Sequence, residues 1–529
     1  MSLSAFQGGP RSLVLAATVS VASLLALAVM AASMTGSSTR QGKRSAGKTK
    51  SRNKHKQKVF MRGLYNLGNT CFMNSTLQSL ASLEEFNTYA DNCVRLLAAG
   101  SPTNSHSTDA EIAVQLNRVL EQLRPQASRV SAYSPRALVN SLSKKGRWMS
   151  SRAEQDAQEL FQMVSSTLQA TMRDSDPSLF NSDFLANNAP IENSIISTTS
   201  SSGSSHSAGS KQHPSRRRSS TAACRMPPFA NPLLGMAASR IACVKCGYTA
   251  AIRHFTFDNL SLTVPRARST TVEECLSMYT VIDQLDDFKC RYCTVVATLA
   301  QTRTDIQKCQ AELAKLDASS KRAVRQSAIL VAQTDQQHQL EQALASNPEA
   351  ELKGIKLVSP QPGASTKQTM IARTPKILVL HLSRSIFLPT GDTVKNTVHV
   401  RLQPLLDISP FSTTGHMNTG ASRPISGPDA FSGMTNTDLY ARAQRNNCLY
   451  RLNAVVLHAG AHNSGHYVAY RRVPLSTTDD PSDEASVKAE QPWTEEGRWF
   501  MLSDAETSEV SIDTVLSAGT GYMLFYERL

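Results

Sequence analysis

Two CxxC pairs, "CVKC" at Cys243–Cys246 and "CRYC" at Cys290–Cys293, lie 43 residues apart. Each pair can present two thiolates to one metal through a tight turn, and two such knuckles complete a tetrahedral sulfur site. Stretches distant in sequence are thereby pinned at one point in space. The separation is too long for a compact zinc ribbon and suits two hairpins closing at the tips of long strands. Protein fills all four ligand positions, so one structural Zn2+ is expected. Gly247 follows the first pair, where a knuckle needs backbone freedom. No βαβ pattern surrounds either pair, which disfavours a redox role. The other six of the ten cysteines are scattered without disulfide rhythm, which fits a reducing compartment.

The 529-residue chain has a formal charge of +14, but the charge is not spread evenly. The first 62 residues hold eleven of the 56 Lys/Arg and none of the 42 Asp/Glu, so the rest carries only +3. The basicity belongs to an N-terminal segment, and no nucleic-acid partner is expected. A tail, 1–12, precedes "LVLAATVSVASLLALAVMAASM" at 13–34, 22 uncharged residues. As a helix they would span about 33 Å, enough for a bilayer. The polybasic linker at 35–61 follows, and the positive-inside rule puts it and all that follows in the cytosol. A cleaved secretory signal is the alternative, since "ALA" at 26–28 mimics a cleavage site. Only Arg11 precedes the apolar run, and the basic residues follow it, which favours a single-pass anchor in the lipid bilayer. Such a moderately hydrophobic anchor with a basic C-terminal flank looks like a mitochondrial outer-membrane signal anchor, with the endoplasmic reticulum as runner-up.

A globular pattern fills 62–529, interrupted by inserts. Residues 194–221 are Ser-rich and read as disordered. Residues 301–345 have helical composition without Gly or Pro, and 409–433 and 476–492 read as loops. Apolar runs such as "KILVLHLSR", "LNAVVLHAG", "HYVAYRRV", "RWFMLSD" and "YMLFYER" read as strands. Helical signals gather before 180 and strand signals after 255, which predicts an α+β fold.

In "GLYNLGNTCFMNSTLQSLASL", Asn69 and Thr70 are cap-type residues and the following apolar spacing is helical. Cys71 then starts a helix, where partial positive charge favours the nucleophilic thiolate. Asn66, five residues upstream, offers an amide donor for an oxyanion. Near the other end, "LHAGAHNSGHYVAYRR" holds His458, His462 and His466. His466 opens a strand after Gly465, a rigid mount for a general base.

The cysteine stretch resembles the cysteine box of the ubiquitin-specific protease family. Gly63, Leu64, Asn66, Leu67, Gly68, Asn69, Thr70, Cys71, Met73, Asn74 and Ser75 carry the match. "GHYVAY" resembles the family's histidine box, and "GYMLFYERL" its closing strand. The resemblance implies a papain-like cysteine protease fold with thumb, palm and zinc-bearing fingers, and hydrolysis of ubiquitin conjugates. Cys71 takes the nucleophile position, Asn66 the oxyanion position and His466 the base position. "EQDAQEL" resembles the thumb-helix motif, so Gln155 and Asp156 are expected at the ubiquitin tail. Gln158 replaces the commoner His there. Gly465 and Tyr467 are expected to line the channel for the Gly-Gly end, and His458 to lie near the tail.

In the family, a Trp is followed four residues later by the Asp or Asn that orients the histidine. Trp499 plus four is Ser503, with Asp504 next. A serine hydroxyl can accept from the imidazole and fix its tautomer, but it brings no negative charge for the imidazolium. Asp504 would then support from behind. A Cys-His-Ser arrangement with an N-terminal anchor is similar to the family's mitochondrial outer-membrane branch. The expected partners are ubiquitin and ubiquitinated membrane or organelle proteins, with a role opposing mitophagy. Two alternatives are a catalytically dead ubiquitin-binding protein and a protease for another ubiquitin-like modifier.

Overall fold

The computed structural model describes residues 58–99, 107–145, 156–175, 230–250, 252–317, 319–359, 361–414, 418–426, 435–462, 464–474 and 497–529. The expected anchor at 13–34, the Ser-rich insert at 194–221, the loop at 476–492 and Gln155 all lie outside these residues. Among the described residues, no helix is long and apolar enough to cross a membrane.

Among the described residues, five helices come first: α1 (Cys71–Leu80), α2 (Glu84–Ala99), α3 (Thr108–Gln122), α4 (Arg136–Lys145) and α5 (Ala157–Ser175). Every residue of α1 is buried, polar ones included, so this helix runs through the core. Its hydroxyls are satisfied locally: Thr76 Oγ1 donates to the Phe72 carbonyl at 2.8 Å and Ser79 Oγ to that of Ser75 at 2.9 Å. α3 starts where the Ser107 hydroxyl accepts from the Ala110 amide at 3.0 Å.

Strands β1 (Gly235–Cys243), β2 (Arg253–Phe257), β3 (Leu260–Thr263) and β4 (Ser269–Thr271) follow. Next come α6 (Val272–Tyr279), β5 (Asp283–Phe288), and two long helices, α7 (Arg291–Leu313) and α8 (Lys321–Ser346). The remaining strands are β6 (Gly363–Arg373), β7 (Ile377–Ser383), β8 (Ser385–Phe387), β9 (Thr393–Lys395), β10 (His399–Arg401) and β11 (Leu405–Asp407). After α9 (Asn436–Arg445) come β12 (Leu449–Gly460), β13 (Gly465–Pro474), β14 (Gly497–Ser503) and β15 (Glu506–Val510). α10 (Ile512–Leu516) and β16 (Gly521–Arg528) close the chain.

The main sheet runs β15-β14-β13-β12-β16-β7-β3, with β11 paired to β12. β7 and most of β12 are buried on both faces, which explains their unbroken apolar runs. Neighbouring residues of one strand serve different cores: Met523 and Phe525 of β16 pack with α1 and α5, Leu524 and Tyr526 with α6 and β3. A second sheet has the order β2-β1-β6-β5.

Three expectations need correction. Among the described residues, strands begin at Gly235, ahead of 255, and the helical insert starts at Arg291 rather than 301. α7 contains "CTVVAT", whose β-branched residues favour strands. Here Thr294, Thr298 and Thr302 each donate to the carbonyl four residues back at 2.8–3.0 Å. Their buried hydroxyls are thus satisfied by the helix itself. The loop expected at 409–433 is also structured in part. It includes a 3-10 turn at Ser409–Phe411, and the fully buried Arg240 guanidinium donates to the carbonyls of Asn418 and Arg423 at 2.5 and 2.7 Å.

Candidate active site

Cys71 opens α1, and α1 packs against β13, which carries His466 near its start. The cap geometry differs from expectation. Thr70 occupies the N-cap position, but its side chain makes no capping bond. Its hydroxyl turns back to accept from the Leu67 amide at 2.9 Å and donate to Asn66 Oδ1 at 3.2 Å. Asn66 Oδ1 also accepts from the amides of Gly68 and Thr70 at 3.0 and 3.1 Å. One side chain thereby ties the loop ahead of the cysteine. The loop needs the tie: Gly68 and Asn69 take φ of +97° and +53°, the left-handed region disfavoured for a residue with a Cβ.

β14 and β15 form a hairpin whose two-residue turn is Asp504–Ala505, with Ser503 opposite Glu506. Asp504 sits at φ +50°. The change of backbone region separates two adjacent polar side chains. Ser503 Oγ lies 2.9 Å from His466 Nε2. The Asp504 carboxylate points elsewhere and accepts from Asn66 Nδ2 at 2.9 Å and Asn74 Nδ2 at 2.7 Å. Its carbonyl accepts from the Leu64 amide at 2.8 Å. Gly63 permits this approach, since a Cβ there would fall 2.4 Å from the Ala505 carbonyl oxygen. The contact with Ser503 engages Nε2 of the imidazole and leaves Nδ1 for a thiol. Asn66 Nδ2 has two protons, one used by Asp504.

Beside this lies a half-aromatic cluster. His458 and Tyr467, opposite one another on β12 and β13, stack with centroids 4.4 Å apart. Tyr522 lies edge-on to His381 at 4.8 Å and to Tyr467 at 5.8 Å. Burial pushes both His381 and His458 down to about 4; Asp156 opposes the shift in each, and the Lys395 ammonium adds to it at His458. Both are therefore neutral at pH 7. Gly465 is confined here as well, because a Cβ would fall 2.7 Å from His458 Nε2.

Asp156 is engaged within the molecule rather than presented bare. Its Oδ1 accepts from the Gln158 amide at 2.7 Å, at the start of α5. Its Oδ2 accepts from the Tyr522 hydroxyl at 2.5 Å. Tyr522 was not singled out from the sequence, nor was His381. Only the position of Tyr522 in the closing strand could have flagged it.

The four paired cysteines meet at one end of the second sheet. Cys243 ends β1, and the Gly247 amide donates to its carbonyl at 3.0 Å with Gly247 at φ +71°. The second pair does not close a hairpin: Cys290 occupies the N-cap position of α7. All four Sγ atoms lie within 4.8 Å of one another, with Cys243–Cys293 at 3.9 Å and Cys246–Cys290 at 3.6 Å. A tetrahedral Zn2+ with Zn–S near 2.3 Å requires S···S separations of about 3.8 Å. The donor set and spacing fit one structural zinc.

Residues 62–526 match the family described as UCH, ubiquitin carboxyl-terminal hydrolase. Ubiquitin carboxyl-terminal hydrolase 30 of Xenopus tropicalis is 25% identical over 515 residues, covering 89% of this chain and 82% of that protein. The Homo sapiens protein of the same name is 25% identical over 533 residues, covering 90% and 86%. Ubiquitin carboxyl-terminal hydrolase 27 of Arabidopsis thaliana is 24% identical over 484 residues, covering 88% and 85%. Among solved structures, the SAGA Ubp8/Sgf11/Sus1/Sgf73 DUB module bound to ubiquitin aldehyde has a similar fold. Its TM-score is 0.50 at 17% identity, covering 89% of this chain and 70% of that one. The fold is thus the expected α+β, papain-like one.

Proposed function

Because the chain belongs to the ubiquitin carboxyl-terminal hydrolase family and is a cysteine-type deubiquitinase, we propose that it cleaves ubiquitin from proteins at an organelle's cytosolic face, using Cys71, His466 and Ser503. The observation that carries the catalytic assignment is the 2.9 Å contact between Ser503 and His466 Nε2. In this reading His466 Nδ1 takes the proton of the Cys71 thiol. The thiolate attacks the carbonyl carbon at the C-terminal glycine of ubiquitin, and the negative charge gathers on the carbonyl oxygen. The free proton of Asn66 Nδ2 meets that oxygen, while Asp504 and the loop amides fix the side chain. His466 then gives its proton to the departing amine, leaving a thioester that water hydrolyses by the same base.

Ser503 fixes the tautomer without charge, so the imidazolium has less electrostatic support than a carboxylate would provide. Asp156, Gln155, His458, Gly465 and Tyr467 are read as the ubiquitin-tail channel. A zinc held by Cys243, Cys246, Cys290 and Cys293 would fix the end of the second sheet and take no part in the chemistry.

The location rests on the sequence of residues 13–34 with its basic flank, and on the likeness to ubiquitin carboxyl-terminal hydrolase 30 of vertebrates. We read the segment as a single-pass anchor, favour the mitochondrial outer membrane over the endoplasmic reticulum, and read the role as opposing mitophagy. Two experiments test the proposal. Ubiquitin vinyl sulfone should label the wild-type chain and not Cys71→Ala. Absence of labelling would leave a ubiquitin-binding protein, and labelling only by another modifier's probe would reassign the substrate. A fluorescently tagged chain should lose organelle targeting when residues 1–35 are deleted. Unchanged targeting would refute the anchor.

A further inference from the structure

β16 begins at Gly521, opposite Leu457 of β12, yet β12 continues to Gly460. Its last three residues therefore pair with β13 on one side and have no strand of the main sheet on the other. Alternate carbonyls of a strand point the same way, so those of the buried His458 and the exposed Gly460 share the open edge. One side chain reaches both. Lys395 Nζ lies 2.8 Å from the His458 carbonyl oxygen, 3.0 Å from that of Gly460 and 3.2 Å from His458 Nδ1.

The register places this contact against the base. Ala459 is the residue opposite His466, and Gly460 is opposite Gly465. The two clamped carbonyls thus flank the backbone partner of His466. Gly460 adopts φ +124°, and a Cβ would fall 2.4 Å from the Ser464 carbonyl oxygen there and 2.1 Å from that of Ala459 at Gly465.

Lys395 itself has a firm mount. It ends β9, whose hairpin with β8 is closed by the Leu388 amide on the Asp392 carbonyl at 2.9 Å. The next residue, Asn396, is buried, and its Nδ2 donates to the Val264 carbonyl at 2.9 Å. Its backbone carbonyl accepts from the Arg384 guanidinium at 3.0 Å.

We propose that Lys395 is a positioning residue for the catalytic histidine, clamping the end of β12 so that the start of β13 holds His466 against Cys71. The role rests on the reading of His466 as the base. The ammonium does not touch the reacting atoms; it acts through the two carbonyls and the turn between the strands. The β8–β9 hairpin thereby becomes a mechanical support of the active site, and its displacement by a ligand would loosen the base.

The test uses the full chain as wild type, Lys395→Met, Lys395→Arg and His466→Ala. Turnover of ubiquitin–aminomethylcoumarin separates kcat from KM. Alkylation of Cys71 by iodoacetamide across pH, followed by mass spectrometry, reads the Cys71–His466 pairing without ubiquitin. For Lys395→Met, kcat should fall about 10- to 100-fold, the cost of a misplaced catalytic group. KM should change less than about threefold, the melting point by only a few degrees, and the low-pH limb of Cys71 alkylation should weaken. Lys395→Arg should recover most of the loss. Wild-type kcat in Lys395→Met with His466→Ala inactive would overturn this proposal alone. So would a loss of kcat that follows the folded fraction while the Cys71 alkylation profile stays unchanged. Wild-type turnover in His466→Ala would overturn this proposal and the reading of the base together.

Discussion

Asp504 and Asn66, 438 residues apart in sequence, are joined by a 2.9 Å hydrogen bond from Asn66 Nδ2 to the carboxylate. The same carboxylate accepts from Asn74, three residues beyond Cys71 on α1. A turn at the end of β14 therefore braces both the loop before the cysteine and the helix after it.

That brace makes Asn66 and Asp504 act as one unit. Asn66→Ala should lower kcat on a ubiquitin–fluorophore substrate by about 10²- to 10³-fold, the usual cost of an oxyanion donor. Asp504→Ala should lower it too, and the double substitution should cost clearly less than the product of the two. A strictly multiplicative double mutant would mean the residues act independently.

The chain should carry one zinc, measured by elemental analysis. Cys290→Ser should lose that zinc and lower the melting temperature, since metal-binding free energy is folding free energy here. It should raise KM for ubiquitin more than it lowers kcat, because the four cysteines sit at the end of the second sheet, which carries none of Cys71, His466 and Ser503. A metal-free protein with unchanged melting and KM would refute the assignment.

Asp156 should show two separable effects. As the acceptor at the start of α5, its replacement by Ala should cost about 1 kcal/mol of stability, read by chemical denaturation. As a channel residue, its replacement by Asn should raise KM for ubiquitin with a smaller change in kcat. Tyr522→Phe removes the 2.5 Å donor and should shift KM the same way. An unchanged KM in Asp156→Asn would remove the residue from the channel.

Stability should respond to pH through Glu527. Its carboxylate accepts from Asn453 Nδ2 at 2.7 Å and from the Glu85 amide at 3.1 Å. Burial nevertheless pushes it up to about 7, with the Glu85 and Glu84 carboxylates adding to the rise. The folded state therefore keeps a proton that the unfolded chain releases near 4.5. This contribution is present below about 4.5 and is lost as pH rises through about 7. Glu527→Gln should melt a few degrees above wild type at pH 8 and near it at pH 4.5. An equal difference at both values would exclude the linkage.

The residues proposed for the reaction are legible where function is written locally. Asn66 lies in the short loop that leads into Cys71, His466 follows a glycine at a strand start, and Ser503 lies four residues after Trp499. Side-chain direction was legible only in part, because it depends on backbone regions that sequence does not print. Thr70 has the composition of a helix cap, yet its hydroxyl serves Asn66 and Leu67. Asp156 is expected at the ubiquitin tail, yet both its oxygens are taken within the fold. Lys395 was not legible at all. Its contact follows from where β16 begins relative to β12, a matter of register between segments about 60 residues apart. The α7–α8 pair was placed as helical, but its true start at Arg291 was hidden by threonines that suit a strand.

The central claim is that Ser503, not Asp504, orients His466. Ser503→Ala and Asp504→Ala should be compared by kcat and KM on a ubiquitin–fluorophore substrate, with folding checked by thermal melting. The account predicts that Ser503→Ala loses about 10- to 100-fold in kcat with KM nearly unchanged, as expected when the partner of a catalytic histidine is removed. Wild-type turnover in Ser503→Ala, with turnover abolished only in Asp504→Ala, would contradict it.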